Sequence, residues 1–349
     1  MKVRNRFTLF VMAALLFMQA ATAQNLYDNP GDYMDFIGKA NEALSQKYLS
    51  YLSAMSHGKS ARKVDKRREE VLNAIYETRV NVQGMPPFKG DRTLRDTTVA
   101  YLKLLNSVFN EDYAKIVNME EIAEQSYDAM EAYMLAQEKA SEKLEQASEK
   151  QRLMQKQFAA KNNVTLIQAD SEIGNKMKVA NAVQHHYNEV YLVFFKSYKQ
   201  EAYLMDAINK GNVISIEQNL NSLKKFATEG KEKLKDLKGY NNDPSLITAC
   251  NSMLDFYLEE TGKGALMTDF FLKQENFNKL KKTFESKPAA KRTQQDVDQY
   301  NNAVNEINTV LNDYNATNKD LNKKREAALK IWNNSVKNYM DTYIPVQRK

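Results

Sequence analysis

Cysteine, proline, glycine and histidine are all scarce in this chain of 349 residues. Cys250 is the only cysteine, which excludes an intrachain disulfide and leaves the burial of apolar side chains as the source of stability. Six prolines and eleven glycines provide few helix breakers. Three histidines provide few candidates for metal binding or acid–base catalysis. The composition therefore favours a helical protein without a disulfide framework.

Apolar runs long enough to cross a membrane as a mature anchor are missing as well, but the first residues resemble a secretory signal. Three cations in residues 2–6 precede the apolar segment 9–18, and small residues at 21 and 23 match a cleavage site. We therefore expect residues 1–23 to be a signal peptide and the protein to be exported, to the periplasm, the cell surface or the medium. No cysteine stands near the cleavage site, so no lipid anchor is expected.

The charge balance argues against a general nucleic-acid-binding surface. The chain carries 50 basic and 44 acidic residues, a net charge of +6, and loss of the three cations of the signal peptide would lower it to +3. A protein that binds nucleic acid over a large surface has a stronger positive excess. Any electrostatic binding must come from a local group of cations, and no nucleic-acid partner is expected.

Apolar residues recur every three or four positions through most of the chain, which predicts amphipathic helices. Strand-like alternation is missing over any useful length, so we predict an all-α fold. Segments rich in glycine, proline and asparagine, such as GMPPFKGD and GYNNDPS, divide the pattern into eight main helices. The predicted helices span residues 32–56, 60–83, 91–118, 121–160, 173–209, 214–237, 243–284 with a break near Gly262 and Gly264, and 292–342.

The two halves of the chain resemble each other in the same order. LSAMSHG matches MDAINKG at a shift of 153 residues, and DRTLRDTTVAYL matches DPSLITACNSML at a shift of 152. Each of the two longer segments begins with aspartate, a residue that commonly caps a helix. Ordered matches at a nearly constant shift indicate an internal duplication.

Two of the predicted helices, 121–160 and 292–342, show an apolar period of 3.5 residues, which keeps one seam facing neighbouring helices. At 1.5 Å per residue, a helix of about forty residues is about 60 Å long, so we predict an elongated molecule. The seam of the last helix includes Leu311, Tyr314, Asn318, Leu321, Arg325, Ala328 and Trp332.

The duplication and the seams together predict the domain organisation. We expect an elongated tandem of two repeated four-helix-bundle-like units, residues 24–160 and 170–349, with a hinge at 161–169. Helical pairs stacked into a solenoid are the alternative, although no repeat of 34 to 47 residues is visible.

The stretch HGKSARKVDKRREE, residues 57–70, is unusually basic. Five of its cations fall at i, i+3, i+4, i+7 and i+8, which places them on one face of the predicted second helix. In one interpretation this face binds an anionic lipid, an anionic glycan or an envelope protein. In the other, carboxylates from neighbouring helices neutralise it. The cationic face consists of Lys59, Arg62, Lys63, Lys66 and Arg67.

Arg68 has a different position, four residues after Val64 and three before Val71, in the middle of the apolar face. An unpaired buried charge is strongly unfavourable, so this arginine needs a carboxylate or carbonyl partner. We therefore predict that Arg68 is a structural clamp. The corresponding helix of the second half, VISIEQNLNSLKKF, has no comparable cationic face, which favours a specific role over a general scaffold requirement.

The run HGKSARKV-x-KRR, inside a helical chain with a signal sequence, resembles an uncharacterised family of exported or surface helical-bundle proteins of Gram-negative bacteria. The specific match covers about twenty residues. The resemblance implies an exported location and a helical fold. It implies no activity, ligand or cofactor.

Motifs for metal binding and catalysis are incomplete. His185 and Glu189 share a helix face at i,i+4 and would supply two metal ligands, but nothing in the sequence marks a third. Phosphate-binding loops and a nucleophile elbow are missing. Cys250 lies on an apolar stripe between Leu246 and Leu254, which predicts a buried, inert thiol. We predict no metal, cofactor or catalytic residue.

The leading functional hypothesis is a non-enzymatic binding or spacer module of the cell envelope. One alternative is a receptor for an anionic glycan or lipid that binds through the cationic face. The other is an enzyme, which would need a cleft with perturbed carboxylates or histidines between the two helical units.

Overall fold

The computed structural model describes residues 27–57, 60–166 and 172–344. Within these ranges the regular structure is helical and contains no β-strand, which confirms the all-α fold class. The predicted signal peptide, residues 1–23, lies outside the described residues. So do Lys59 and the last part of the predicted hinge.

The described residues form ten α-helices, and their bounds follow the apolar periodicity closely. A π turn at Val108–Asp112 joins the third helix to the fourth without a break in the chain direction. The helices are α1 (Pro30–Ser56), α2 (Ala61–Gln83), α3 (Thr93–Ser107), α4 (Tyr113–Ala123), α5 (Tyr127–Lys161), α6 (Glu172–Asn209), α7 (Val213–Asp236), α8 (Ser245–Gly262), α9 (Gly264–Ser286) and α10 (Gln294–Tyr343).

The predicted break near Gly262 and Gly264 is confirmed, since α8 ends at the first glycine and α9 begins at the second. A Cβ atom on Gly264 would lie only 2.7 Å from Cδ1 of Leu220 in α7. The lack of a side chain therefore allows the start of α9 to approach α7 closely. The predicted helix 91–118 is longer than expected, because it continues through the π turn to Ala123.

The chain divides into two compact units. Unit 1 contains the described residues up to Glu124, Ala129–Ala182 and the residues after Thr342, and unit 2 contains Gln125–Asp128 and Val183–Thr342. The division falls within α6, beyond the segment 161–169 that the sequence suggested as a hinge. The tandem of two four-helix units stays a prediction.

Unit 1 is held together by aromatic side chains at two levels of its helices. Tyr33 of α1 stacks on Phe158 of α5, with 5.6 Å between ring centroids, and its hydroxyl donates to the Pro86 carbonyl at 3.1 Å. At the other level, Phe109 of the π turn lies 5.6 Å from Tyr51 of α1 and 4.9 Å from Tyr113. These contacts join α1, the π turn, α4 and α5 through buried rings.

Unit 2 has its own aromatic core. Trp332 of α10 stacks on Phe194 of α6 at 4.3 Å between centroids, and Tyr314 stacks on Phe270 of α9 at the same distance. Cys250 is fully buried, and its Sγ lies 3.9 Å from the Val190 carbonyl oxygen, so the predicted burial of the thiol is confirmed.

Candidate functional site

The start of α2 carries the predicted cationic face on the outside of unit 1. Arg62, Lys63 and Lys66 are exposed, and none of them makes an ion pair with any described residue. Lys59 is not described, so the structure bears on four of the five predicted cations. Three cations therefore stand next to one another on the helix surface without a carboxylate partner in the described part of the chain.

Arg67, the last cation of the face, is only 28% exposed and is paired. Its Nη1 donates to Oε2 of Glu70 at 2.7 Å, and Lys47 of α1 lies 3.7 Å from the same oxygen. Partial burial alone would raise the pKa of Glu70, but Arg67 and Lys47 hold it below its usual value. Arg67 therefore belongs to a cross-helix ion-pair network between α1 and α2 and differs in this from its three neighbours.

Arg68 points away from the cationic face and is nearly buried, with 11% of its side chain exposed. Nε donates to Asp65 at 3.0 Å, and Nη2 donates to Glu69 at 2.9 Å. Both carboxylates belong to α2 itself. The remaining contact crosses to another element, since Nη1 donates to the Phe109 carbonyl at 3.2 Å.

The π turn supplies this carbonyl. Its hydrogen bond runs from the Tyr113 amide to the Val108 carbonyl, one residue farther along the chain than in an α-helix. Such a widened turn displaces backbone carbonyls from the regular ladder and makes them available to side-chain donors. The ring of Phe109 lies in the aromatic core while its carbonyl accepts from Arg68, so Arg68 connects α2 to the π turn.

The contacts of Arg67 and Arg68 also explain why Arg62, Lys63 and Lys66 make no ion pair with the acids of their own helix. The acids of α2 within about two turns of Arg62 and Lys66 are Glu70, which Arg67 engages, and the pair Asp65 and Glu69. Arg68 engages both of them. All three acids are thus engaged by Arg67 or Arg68, and Arg62, Lys63 and Lys66 make no ion pair with them, although the charge of Lys66 contributes to the lowered pKa of Glu70.

The helix end itself adds to the positive potential of this region. Ser60 stands at the N-cap of α2, but its side chain makes no capping hydrogen bond, and the first turn contains no acidic residue. The amide groups of a first helical turn carry a partial positive charge, which disfavours nearby cations. Arg62 and Lys63 therefore occupy positions at which they oppose the stability of the helix.

A second group of charges, which the sequence analysis did not single out, lies inside unit 2. Arg325 of α10 donates through Nε to Glu201 of α6 and through Nη2 to Glu260 of α8. Glu201 is 4% exposed and Glu260 is 0% exposed. We call Glu201, Glu260 and Arg325 the buried charge cluster. It contains two carboxyl groups and one guanidinium, with Tyr257 and Asn322 at its edge.

The electrostatics of the buried charge cluster favour retention of a proton. Burial raises the pKa of Glu260 to about 8, the negative charge of Glu201 adds to the rise, and Arg325 opposes it. Burial also raises the pKa of Glu201 against the same guanidinium. One arginine neutralises one carboxylate, so near neutral pH the second carboxyl group is protonated and the cluster carries little net charge.

The sequence pattern that singled out Arg68, a charge on an apolar helix face, could also have singled out Arg325. Arg325 falls on the apolar seam of the last helix, four residues after Leu321 and three before Ala328. A charged side chain at such a position requires a buried partner of opposite charge. The partners lie on two other helices, and nothing in the sequence relates their positions to Arg325.

His185 and His186 do not form a metal site with the other described residues. Nε2 of His185 lies 3.9 Å from Glu189, but the His185 side chain is 61% exposed whereas that of His186 is 7% exposed. Burial lowers the pKa of His186, with a smaller opposing effect of Glu189. In the described part of the chain, no group of three histidine, cysteine or acidic side chains is arranged to hold a metal ion.

Comparisons with known proteins identified no relative of this chain. No protein-family model, curated protein or solved structure matches the chain. Among the described helices, none combines the length and the apolar character that crossing a membrane requires.

Proposed function

We propose that the protein is a non-enzymatic, exported helical module of the cell envelope that binds an anionic surface through the cationic face of α2. The observation that supports this proposal is the difference between cations of the same helix. Arg67 and Arg68 are paired and partly buried, whereas Arg62, Lys63 and Lys66 are exposed and unpaired among the described residues. The first pair contributes to packing, and the three exposed cations remain available for a ligand.

Stability does not account for these three positions. Arg62 and Lys63, in the first turn of α2, each cost about 0.3–1 kcal/mol, and the like charges of Arg62 and Lys66 at i,i+4 cost a few tenths more. A group that opposes the stability of its own helix is expected where it serves another purpose, such as binding. This argument favours a binding module over a spacer.

The ligand that we infer is the phosphate-bearing surface of an envelope lipid. Arg62 and Lys66 are one helical turn apart, about 6 Å along the axis, with Lys63 beside them. Three neighbouring cations on an exposed face favour a surface with many closely spaced anions over a single small anion. Export through a signal peptide at residues 1–23 would bring the protein to such a surface.

The same proposal includes the finer architecture. A tandem of two repeated four-helix-bundle-like units, with residues 24–160 and 170–349 joined at 161–169, is supported by the ordered matches between the halves. Only the first half carries the cationic face, so duplication followed by specialisation of one unit accounts for the asymmetry.

Vesicle flotation tests the binding function. At low salt we expect the protein to float with vesicles that contain phosphatidylglycerol and phosphatidylcholine, and to dissociate from them as the salt concentration rises. It should not bind vesicles of pure phosphatidylcholine. The variant Arg62→Glu/Lys63→Glu/Lys66→Glu should not float. The matched control Lys103→Glu/Lys115→Glu/Lys156→Glu changes the net charge equally at exposed positions of unit 1 and should float like the wild type.

Two results would contradict the proposal. Equal flotation of the wild type and the α2 variant would show that the cationic face does not bind lipid. Retention on an immobilised anionic glycan, without any flotation, would support a glycan receptor instead. Circular dichroism of both variants establishes that the helical fold is intact.

A further inference from the structure

Unit 2 contains a groove between α6, α7 and the first residues of α5, which belong to this unit. We call it the α6–α7 groove. Its volume is about 300 Å³, at the lower end of the range of small-molecule sites. Three aromatic side chains line it, one from each helix, and all three remain in contact with solvent: Tyr127, Tyr203 and Phe226. The groove therefore offers an accessible apolar wall to a ligand about the size of an amino acid.

Lys196 of α6 packs against this wall. Its Nζ lies 4.5 Å from the ring centroid of Phe226 and 5.5 Å from that of Tyr127. Such contacts are favourable because the face of an aromatic ring carries partial negative charge. Nζ also lies 3.7 Å from a carboxylate oxygen of Glu229, which pairs with Lys225 as well. The charge of Lys196 is thus compensated within the protein, and its role is to position the rings.

Two further charges line the groove, and these have no partner of opposite charge. Nζ of Lys199, one helical turn after Lys196, lies 5.6 Å from the ring centroid of Tyr203. Asp128 stands in the first turn of α5, where a negative charge is favourable. Neither side chain forms an ion pair with any described residue, and the two do not pair with each other. Lys199 is partly exposed and Asp128 is exposed, so a ligand can reach both.

A ligand with one negative and one positive charge fits this arrangement. Its carboxylate would meet Lys199, its ammonium group would meet Asp128, and its side chain would pack against the rings. An anion would bring a like charge towards Asp128, and a cation would bring one towards Lys199, so either would bind less well. We propose that the α6–α7 groove binds a free α-amino acid with an aromatic side chain.

Isothermal titration of the whole protein with L-phenylalanine tests this inference. We expect saturable binding in the millimolar range. N-acetylphenylalanine lacks the positive charge and phenylalanine amide lacks the negative charge. Each should bind about fivefold more weakly, because one ion pair that water can still reach is lost. Free alanine, which keeps both charges but has no ring, should also bind more weakly.

Two variants assign the charges to residues. Lys199→Met should weaken the binding of phenylalanine and N-acetylphenylalanine about fivefold and leave that of phenylalanine amide unchanged. Asp128→Asn should weaken the binding of phenylalanine and its amide and leave that of N-acetylphenylalanine unchanged. The matched controls Lys224→Met and Asp236→Asn alter exposed charges of α7 that do not line the groove, and they should bind phenylalanine like the wild type.

Absence of saturable phenylalanine binding would overturn the inference. Equal affinity for phenylalanine and either derivative, or equal effects of the groove variants and their controls, would also overturn it. Circular dichroism and the fluorescence of Trp332 establish that unit 2 is folded in every variant. The vesicle experiment is independent, because its cations lie on α2 in unit 1.

Discussion

Replacement of Glu260 by glutamine should remove a pH dependence from the stability of unit 2. In the folded protein burial and Glu201 raise the pKa of Glu260 to about 8, whereas the ordinary value of 4.5 applies to the unfolded chain. Between these two values the folded protein holds a proton that the unfolded chain has released. The free energy of unfolding should therefore fall as pH rises through this window, by at most about 5 kcal/mol at about 1.4 kcal/mol per pH unit.

The single tryptophan makes this effect measurable. Trp332 is 3% exposed and stacks on Phe194 in the same unit as the buried charge cluster, so its fluorescence reports on unfolding of unit 2. In urea unfolding, the stability of Glu260→Gln relative to the wild type should rise by about 3 kcal/mol between pH 5.5 and pH 8. Glutamine imitates the protonated carboxyl at every pH, which removes the slope.

Other groups with shifted pKa values do not affect the difference in stability between the wild type and Glu260→Gln. The lowered pKa of His186 acts in the opposite direction, since a histidine that resists protonation stabilises the fold as pH rises. Asp91 and Asp296, with pKa values of about 2, titrate below the window. All three contribute equally to both proteins and cancel in the difference.

Glu201→Gln serves as a second test of the same cause. It removes the negative charge that adds to the rise of the Glu260 pKa, so the slope should shrink without vanishing. A stability difference between wild type and Glu260→Gln that stays constant from pH 5.5 to 8 would refute the assignment of a shared proton to this cluster.

Three further predictions follow from individual residues. Arg68→Ala should lower the free energy of unfolding by about 2 kcal/mol, because the Phe109 carbonyl loses its donor while the half-exposed Asp65 and Glu69 regain water; a negligible change in urea unfolding would contradict the clamp. Burial raises the pKa of the Cys250 thiol, so a thiol reagent should react with it only in denaturant, and rapid labelling of the native protein would contradict its burial. Chelation should leave the melting temperature unchanged, whereas a drop restored by zinc would direct attention to His185, His186 and Glu189.

The helices could be predicted because their cause is local. Apolar residues repeat with helical spacing over long segments, and the few glycines and prolines mark most of the ends. The break at Gly262 and Gly264 was visible for the same reason. The π turn at Val108–Asp112 was not, because one inserted residue changes the helical period only slightly.

Sequence also identified Arg68, since a charge on an apolar face stands out from its own helix. It did not identify the partners, which prove to be two acids of α2 and the Phe109 carbonyl. Whether Arg62, Lys63 and Lys66 have acidic partners on their own helix depends on these contacts. Because Arg68 engages Asp65 and Glu69 and Arg67 engages Glu70, the acids nearest to these three cations already have partners.

The sequence by itself therefore determined the all-α class, most helix bounds and the positions at which a charge meets an apolar seam. The tertiary structure decided which side chains meet across helices, as in the cluster of Glu201, Glu260 and Arg325. The helical period depends only on residues a few positions apart, so the sequence shows it directly. Contacts between distant segments depend on how the helices are rotated and spaced against one another, which no local pattern specifies.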